Sequence, residues 1–282
     1  MIIDSTGVHI SALVLSWYGL FVVAGGLAGA VAAARLARRR GDDPEHVWSG
    51  LIPTLILGLV GARLWFILFP PQSVIANGGT PAWYLAHPLD LNQGFLAIWT
   101  GGFGLFGAIA GGVLGIALYT RLRKLPIAPW LDIAAVGLAL GGAIARLGDG
   151  AAGDLYGPPA AWGTLIPDPA LRVAPYTDLT RYPLDSTRFQ PVFLYEAVLM
   201  AFIFVVMLIL CWRGRPRQGD LVLLYAALYG AGRTLLESLR VNVSLVAGID
   251  VSQATAGLLA VIAIAWLWRR HRRGIDDRAD AD

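Results

Sequence analysis

The chain has 282 residues, 56% of them hydrophobic and only 15% charged, with a mean hydropathy of +0.62. Soluble domains carry about 25% charged residues, so the composition excludes an ordinary soluble protein and points to the membrane. The formal net charge of +3 is concentrated in clusters beside apolar stretches, which fits topology and contact with anionic headgroups and makes no case for nucleic acid. A single cysteine, Cys211, excludes an intramolecular disulfide.

Seven apolar stretches follow one another at approximately 11–36, 47–69, 97–120, 130–147, 192–212, 221–239 and 251–268. Each is near the twenty or so residues that cross a hydrocarbon core of roughly 30 Å. The expected fold is therefore an all-α integral membrane protein of seven transmembrane helices. The first stretch lacks the basic leader and small-residue cleavage pattern of a secretory signal, so it is expected to be retained.

Basic residues set the orientation. Arg35, Arg38, Arg39 and Arg40 follow the first stretch, and Arg121, Arg123 and Lys124 the third. Arg213, Arg215 and Arg217 follow the fifth, and Arg269, Arg270, Arg272 and Arg273 the seventh. Positive segments stay cytoplasmic, which places the N-terminus outside and the C-terminus inside. Residues 1–273 then form one membrane domain, with a long outer loop or small head at about 149–191 between spans four and five. Residues 274–282 form a short polar cytoplasmic tail, expected to lack regular structure.

Glycines recur inside the stretches, among them Gly25, Gly29, Gly137 and Gly141, and small residues let helices approach closely. The run Gly101-Gly102-Phe103-Gly104 is different, since three glycines in four residues at the outer entrance of a span are expected to break the helix and to present backbone N–H groups to an anion.

The intramembrane charges converge on the outer side: Arg63 in the second stretch, Arg146 at the end of the fourth, Glu196 at the start of the fifth, and Arg233 with Glu237 in the sixth. Tyr18 lies at similar depth in the first. Charges in a bilayer persist where they are paired, face a cavity or hold a polar ligand. Arg233 and Glu237, four residues apart, share a helix face and form a self-neutralising pair on the simplest view. Three arginines against two glutamates leave excess guanidinium, which suggests a phosphate, and a phospholipid is the nearest one. All four histidines, His9, His46, His87 and His271, fall in loops or at span edges. That argues against a Ser/His pair or a histidine-rich metal site, and leaves a carboxylate, a tyrosine or the substrate's own ionised group as base.

Ala145-Arg146-Leu147-Gly148-Asp149, continuing through Gly153-Asp154-Leu155-Tyr156-Gly157, resembles the signature G-R-x-G-N-x-x-N-x-E-x-x-G of prolipoprotein diacylglyceryl transferases. Supporting segments follow in the family's order: Trp17-Tyr18-Gly19, Gly61-Ala62-Arg63, Trp99-Thr100-Gly101-Gly102, Gln190-Pro191 with Leu194-Tyr195-Glu196, and Tyr229-Gly230 with Arg233 and Glu237. The resemblance implies transfer of the diacylglyceryl group of phosphatidylglycerol to the lipobox cysteine of a prolipoprotein signal peptide, with release of glycerol phosphate, in a bacterial cytoplasmic (inner) membrane. It implies that Arg146 and Arg233 hold the phosphate and that Glu237 orients Arg233. Tyr18, Asp149, Asp154 and Gly157 would line the site, with Arg63, Gly101, Gly102 and Glu196 as further binding residues. No metal, nucleotide or other cofactor is implied.

The chain departs from the pattern at several positions. Phe106 stands where members carry His or Tyr, Ala145 replaces Gly, Asp149 and Ala152 replace Asn, Asp154 replaces Glu, and Gln190 replaces His. With Phe106 unable to take a proton, Asp149 or Asp154 becomes the expected acceptor for the thiol proton. The alternative is a catalytically impaired member that binds lipid or handles lipoproteins without chemistry, marked by Phe106, Ala152 and Gln190. A small-solute transporter would need polar residues continuing to the cytoplasmic side, where these spans are apolar.

Overall fold

The computed structural model describes residues 2–3, 7–10, 13–98, 101–214 and 216–279. A small antiparallel sheet, β1 (Ile2–Ile3), β2 (Gly7–Ile10) and β3 (Leu13–Ser16), leads into α1 (Trp17–Arg40) and α2 (Glu45–Leu68). The short helices α3 (Gln72–Ala76) and α4 (Pro81–Ala86) precede α5 (Leu105–Leu122) and α6 (Ile127–Ala151). Strand β4 (Pro159–Leu165) pairs with β5 (Arg188–Phe189), and α7 (Val192–Arg213) and α8 (Asp220–Glu237) follow. A hairpin of β6 (Leu245–Val246) and β7 (Ile249–Asp250) turns the chain into α9 (Val251–Ala279).

Helices α1, α2, α5, α6 and α7, and the Val251–Arg272 part of α9, are long and apolar enough to cross a membrane. Helix α8 has the same 18 residues as α5 but carries Asp220, Arg233 and Glu237. Those charges lower its hydropathy, while packing against α6, α7 and α9 encloses them.

Ser16 caps the start of α1 by accepting from the Gly19 N–H at 3.1 Å, which moves the helix start from the expected 11 to 17. Arg38, Arg39 and Arg40 fill its last turn, where cations oppose the helix dipole, and Gly41 ends it in the left-handed region at φ +85°. The third stretch, expected from 97, becomes helical only at Leu105, because Gly101 and Gly102 take φ values of +82° and +74°. The polar tail also differs from expectation: α9 continues as helix to Ala279.

Helices α1 and α6 meet backbone to backbone. A Cβ added at Gly137 or Gly141 would stand 2.7 Å from the carbonyl oxygen of Gly29 or Gly25. This contact fixes the α6 end that carries Arg146 against the start of α1.

The basic ends of the helices gather at one end of the bundle. The Arg39 guanidinium lies 5.2 Å from the Trp212 ring centre, and Asp220 is 3.7 Å from Arg270 and 3.4 Å from His271. Asp132 is fully buried here, accepts from the Gly219 N–H at 2.7 Å and the Val222 N–H at 2.9 Å, and lies 3.8 Å from Arg40. A carboxylate on α6 thus caps the N-terminus of α8, which has no side-chain cap of its own.

At the opposite end, the long segment between α6 and α7 has its own core of Tyr156, Ile166 and Phe189. Arg172, 4% exposed, donates to the carbonyls of Ile166 at 3.0 Å and Tyr182 at 2.5 Å, and lies over the Phe189 ring. The Tyr156 hydroxyl donates to the Leu171 carbonyl at 3.1 Å and accepts from the Val173 N–H at 2.9 Å. Burial pushes its phenol up, so it stays protonated as that donor. The segment is a small folded head.

Candidate active site

The C-terminal ends of α6 and α8 and the N-terminal end of α7 meet under the head. Arg146 Nη1 donates to Asp149 Oδ2 at 2.8 Å, one turn along α6. Its Nε lies 2.9 Å from Glu196 Oε2, an ion pair whose angles fall outside hydrogen-bond geometry. The other oxygen of Glu196 accepts from Arg233 Nη1. Arg233 Nη2 is 2.6 Å from Glu237 Oε2, and Arg240 Nη1 closes the row 3.2 Å from Glu237 Oε1. The result is one continuous chain of alternating charges, Asp149, Arg146, Glu196, Arg233, Glu237 and Arg240.

Three guanidinium groups and three carboxylates balance. This corrects the excess of guanidinium expected from the sequence, which counted Arg63 and left out Asp149 and Arg240. The side chains of Glu196, Glu237 and Arg233 are 0%, 1% and 3% exposed, whereas that of Arg146 is 19% exposed. Desolvating each such ion costs several kcal/mol, offset only by good pairing, so the row is a costly way to hold three helices together. Arg146 is the more open of the two guanidinium groups that Glu196 joins.

Four buried side-chain polar atoms have no hydrogen-bond partner among the described residues: Glu196 Oε2 and Asp220 Oδ1, which lie in ion pairs, and Arg233 Nε and the Tyr229 hydroxyl. Tyr229 lies one helical turn before Arg233, 3% exposed, with its phenol in the field of Arg146, Glu196 and Arg233. In the sequence Tyr229 stands out only as part of the Tyr229-Gly230 motif. Its spacing of four residues from Arg233 was the available signal for a shared face.

Tyr18, 44% exposed in the first turn of α1, is brought beside α6 because Gly148 packs on its backbone. A Cβ at Gly148 would lie 3.1 Å from the Tyr18 carbonyl oxygen. Asp154 is exposed, and its carboxylate accepts from the following Leu155 N–H at 3.0 Å. It serves the turn after α6 and makes no ion pair among the described residues. Gly157 donates to the Gln190 carbonyl at 2.9 Å, and a Cβ there would sit 2.7 Å from the Leu239 carbonyl oxygen, so only glycine fits between the head and the exit of α8.

Arg63 stands apart from the row. Only 3% exposed, it donates to the carbonyls of Phe95 at 3.0 Å, Gly94 at 2.6 Å, Gln93 at 3.4 Å, Gly101 at 2.6 Å and Gly102 at 3.3 Å. Its donors are committed to a loop and not turned to an external phosphate, contrary to the sequence expectation. The carbonyls of Gly101 and Gly102 face this cation, and the Gly101 N–H donates to the Ile98 carbonyl at 3.4 Å. A cleft of about 380 Å³ opens beside this loop, lined by Arg63, Ser73, Asn77, Tyr84, Asn92 and Gln93. Trp99 and Thr100, part of the motif read here, lie outside the described residues. Phe106 is 6% exposed with its ring 5.5 Å from that of Trp65, an apolar contact between α5 and α2.

A bundle of membrane-length helices with a buried arginine–carboxylate row at the end away from its basic clusters defines a multi-pass membrane protein with a polar site between its helices. The family model described as prolipoprotein diacylglyceryl transferase matches residues 6–269. The chain is 34% identical over 283 residues to the phosphatidylglycerol–prolipoprotein diacylglyceryl transferase of Chloroflexus aggregans, covering 93% of this chain and 87% of that one. It is 34% identical over 274 residues to the protein of the same name from Symbiobacterium thermophilum, covering 95% and 94%. The chain belongs to the prolipoprotein diacylglyceryl transferase family.

Proposed function

We propose that this protein transfers the sn-1,2-diacylglyceryl group of phosphatidylglycerol to the lipobox cysteine thiol of prolipoproteins, releasing glycerol phosphate. The observation that carries the reading is that Arg146 and Arg233 approach opposite oxygens of one buried carboxylate, Glu196. Two guanidinium groups spaced by a carboxylate suit a phosphate, which presents oxygens at similar separation and accepts paired N–H donors.

The thiol sulfur attacks C3 of the lipid glycerol, and the C–O bond to phosphate breaks with its electron pair on the departing oxygen. Charge grows on the phosphate as it leaves, and Arg146 and Arg233 are preorganised to stabilise it. Glu237 orients Arg233 and Arg240, Glu196 spaces the two central arginines, and Tyr18 and Gly157 line the approach. Arg63 acts at one remove, as a positioning residue that holds Gly101 and Gly102.

In this reading α8 is a seventh span, since its three charges are enclosed by neighbouring helices. The gathered basic ends face the cytoplasm, which puts the N-terminus and the head outside and the arginine row in the outer leaflet of a bacterial inner membrane.

The test is mass spectrometry of a lipobox peptide incubated with purified protein and phosphatidylglycerol, with Arg146→Ala as control. A diacylglyceryl mass on the cysteine, absent in the control, is expected. Protein that binds the lipid without forming product would support the second reading, a non-catalytic lipid-binding member, which Phe106, Ala152 and Gln190 favour.

A further inference from the structure

Resting on the transferase reading above, we infer that Asp149 accepts the proton of the attacking thiol, and that the lipid phosphate itself frees Asp149 to do so by taking over Arg146. The family pattern quoted above has an uncharged Asn at this position, where this chain has Asp149.

Asp149 is buried, 9% exposed, and its one ion-pair partner among the described residues is Arg146 Nη1 at 2.8 Å. That guanidinium is also the more open of the two that meet at Glu196. A phosphate arriving on Arg146 therefore competes with the carboxylate of Asp149 for the same donors. The groups facing Asp149 are Arg146 on its own helix, Asp154 in the following turn, Glu196 from α7 and Tyr18 from α1. Glu196 keeps Arg233 when Arg146 is shared. Asp154 is exposed and bound to the Leu155 amide, and Tyr18 is a neutral phenol. Asp149 is the carboxylate left beside a new anion with its countercharge divided, and taking up a proton relieves that repulsion.

The step balances. The S–H proton passes to a carboxylate oxygen of Asp149, the sulfur forms the C–S bond, and the C–O bond breaks to leave the phosphate monoester dianion on Arg146 and Arg233. Protonated Asp149 then returns its proton to the departing phosphate or to water, and its carboxylate regains Arg146. Lipid binding and base formation are in this way one event, which keeps the base paired until a substrate is present.

The experiment measures transfer against pH for wild type, Asp149→Asn and Asp154→Asn, using lipobox peptides with cysteine or with selenocysteine, whose selenol is ionised at neutral pH. Phosphatidylglycerol binding is measured alongside to show that each variant is folded. With the cysteine peptide near neutral pH, Asp149→Asn is expected to lose about 100-fold in rate, in the range of general-base effects. Its rate should climb with pH toward the thiol's own ionisation near about 8.5. The selenocysteine peptide should restore most of the loss, which a purely structural defect would not allow.

A wild-type pH profile in Asp149→Asn, or a defect carried by Asp154→Asn instead, overturns the inference. So does an Asp149→Asn protein that binds lipid yet is equally slow with both peptides. Should Asp149→Asn not fold, the wild type alone decides: a cysteine reaction whose acid limb follows thiol ionisation uses no protein base. Absence of product from wild type would instead sink the transferase reading itself.

Discussion

Glu196 in α7 and Arg233 in α8 form an ion pair in which both side chains are almost wholly removed from solvent. Because Glu196 also meets Arg146 from α6, one carboxylate ties three helices together at the site. Replacing Glu196 with Gln removes the carboxylate between two buried guanidinium groups, leaving Arg146 only Asp149 and Arg233 only Glu237 as countercharge. Breaking a buried pair from one side costs about 3–5 kcal/mol, so Glu196→Gln is expected to melt well below wild type in detergent. Added phosphatidylglycerol should restore part of the melting temperature, since its phosphate supplies the missing charge. A variant as stable as wild type would show that the row contributes little to packing.

Arg233 is held by Glu196 on one side and Glu237 on the other. Arg233→Ala is expected to reduce kcat by about 100- to 1,000-fold even with Arg146 in place, comparable to loss of one preorganised donor for developing charge. Arg233→Lys should recover little, because a single ammonium cannot serve two carboxylates and a phosphate in a planar fork. Near-normal turnover of either variant would mean that the phosphate is held elsewhere.

Arg63 reaches the backbone carbonyls of five residues in the loop before α5. Lysine has three donors on one atom and cannot reproduce that fork. Arg63→Lys and Arg63→Ala should therefore both make the 93–95 segment more sensitive to limited proteolysis and lower transfer. Preserved protease resistance in Arg63→Ala would show that the loop holds itself.

Asp132 works at the far end, capping α8 from α6. Asp132→Ala orphans the Gly219 and Val222 N–H groups and should cost about 1–2 kcal/mol, the upper range for loss of an N-cap. Faster hydrogen exchange at 219–222 would locate the effect, while Asp132→Asn, which keeps an acceptor, should lie between. Unchanged exchange in Asp132→Ala would assign the stability of α8 to its packing alone.

Length and hydropathy were sufficient to locate the long helices, since about twenty apolar residues have few other uses and lipid forces backbone groups to pair within the segment. Sequence order also revealed that Arg233 and Glu237 share a face, because helical spacing is local. The helix boundaries were less legible. Local conformation at Gly101 and Gly102 and the Ser16 cap moved two starts inward by several residues.

Partners across helices were not legible at all. Arg63 and Arg146 look alike as intramembrane arginines, yet one is consumed by loop carbonyls and the other faces Asp149 and Glu196. Composition and spacing determined that this chain is a membrane bundle with charges near one end, through the energetics of burying polar groups in lipid. Only the tertiary structure decided which charges meet, because ion pairs extend a few ångströms in space and take no account of distance along the chain.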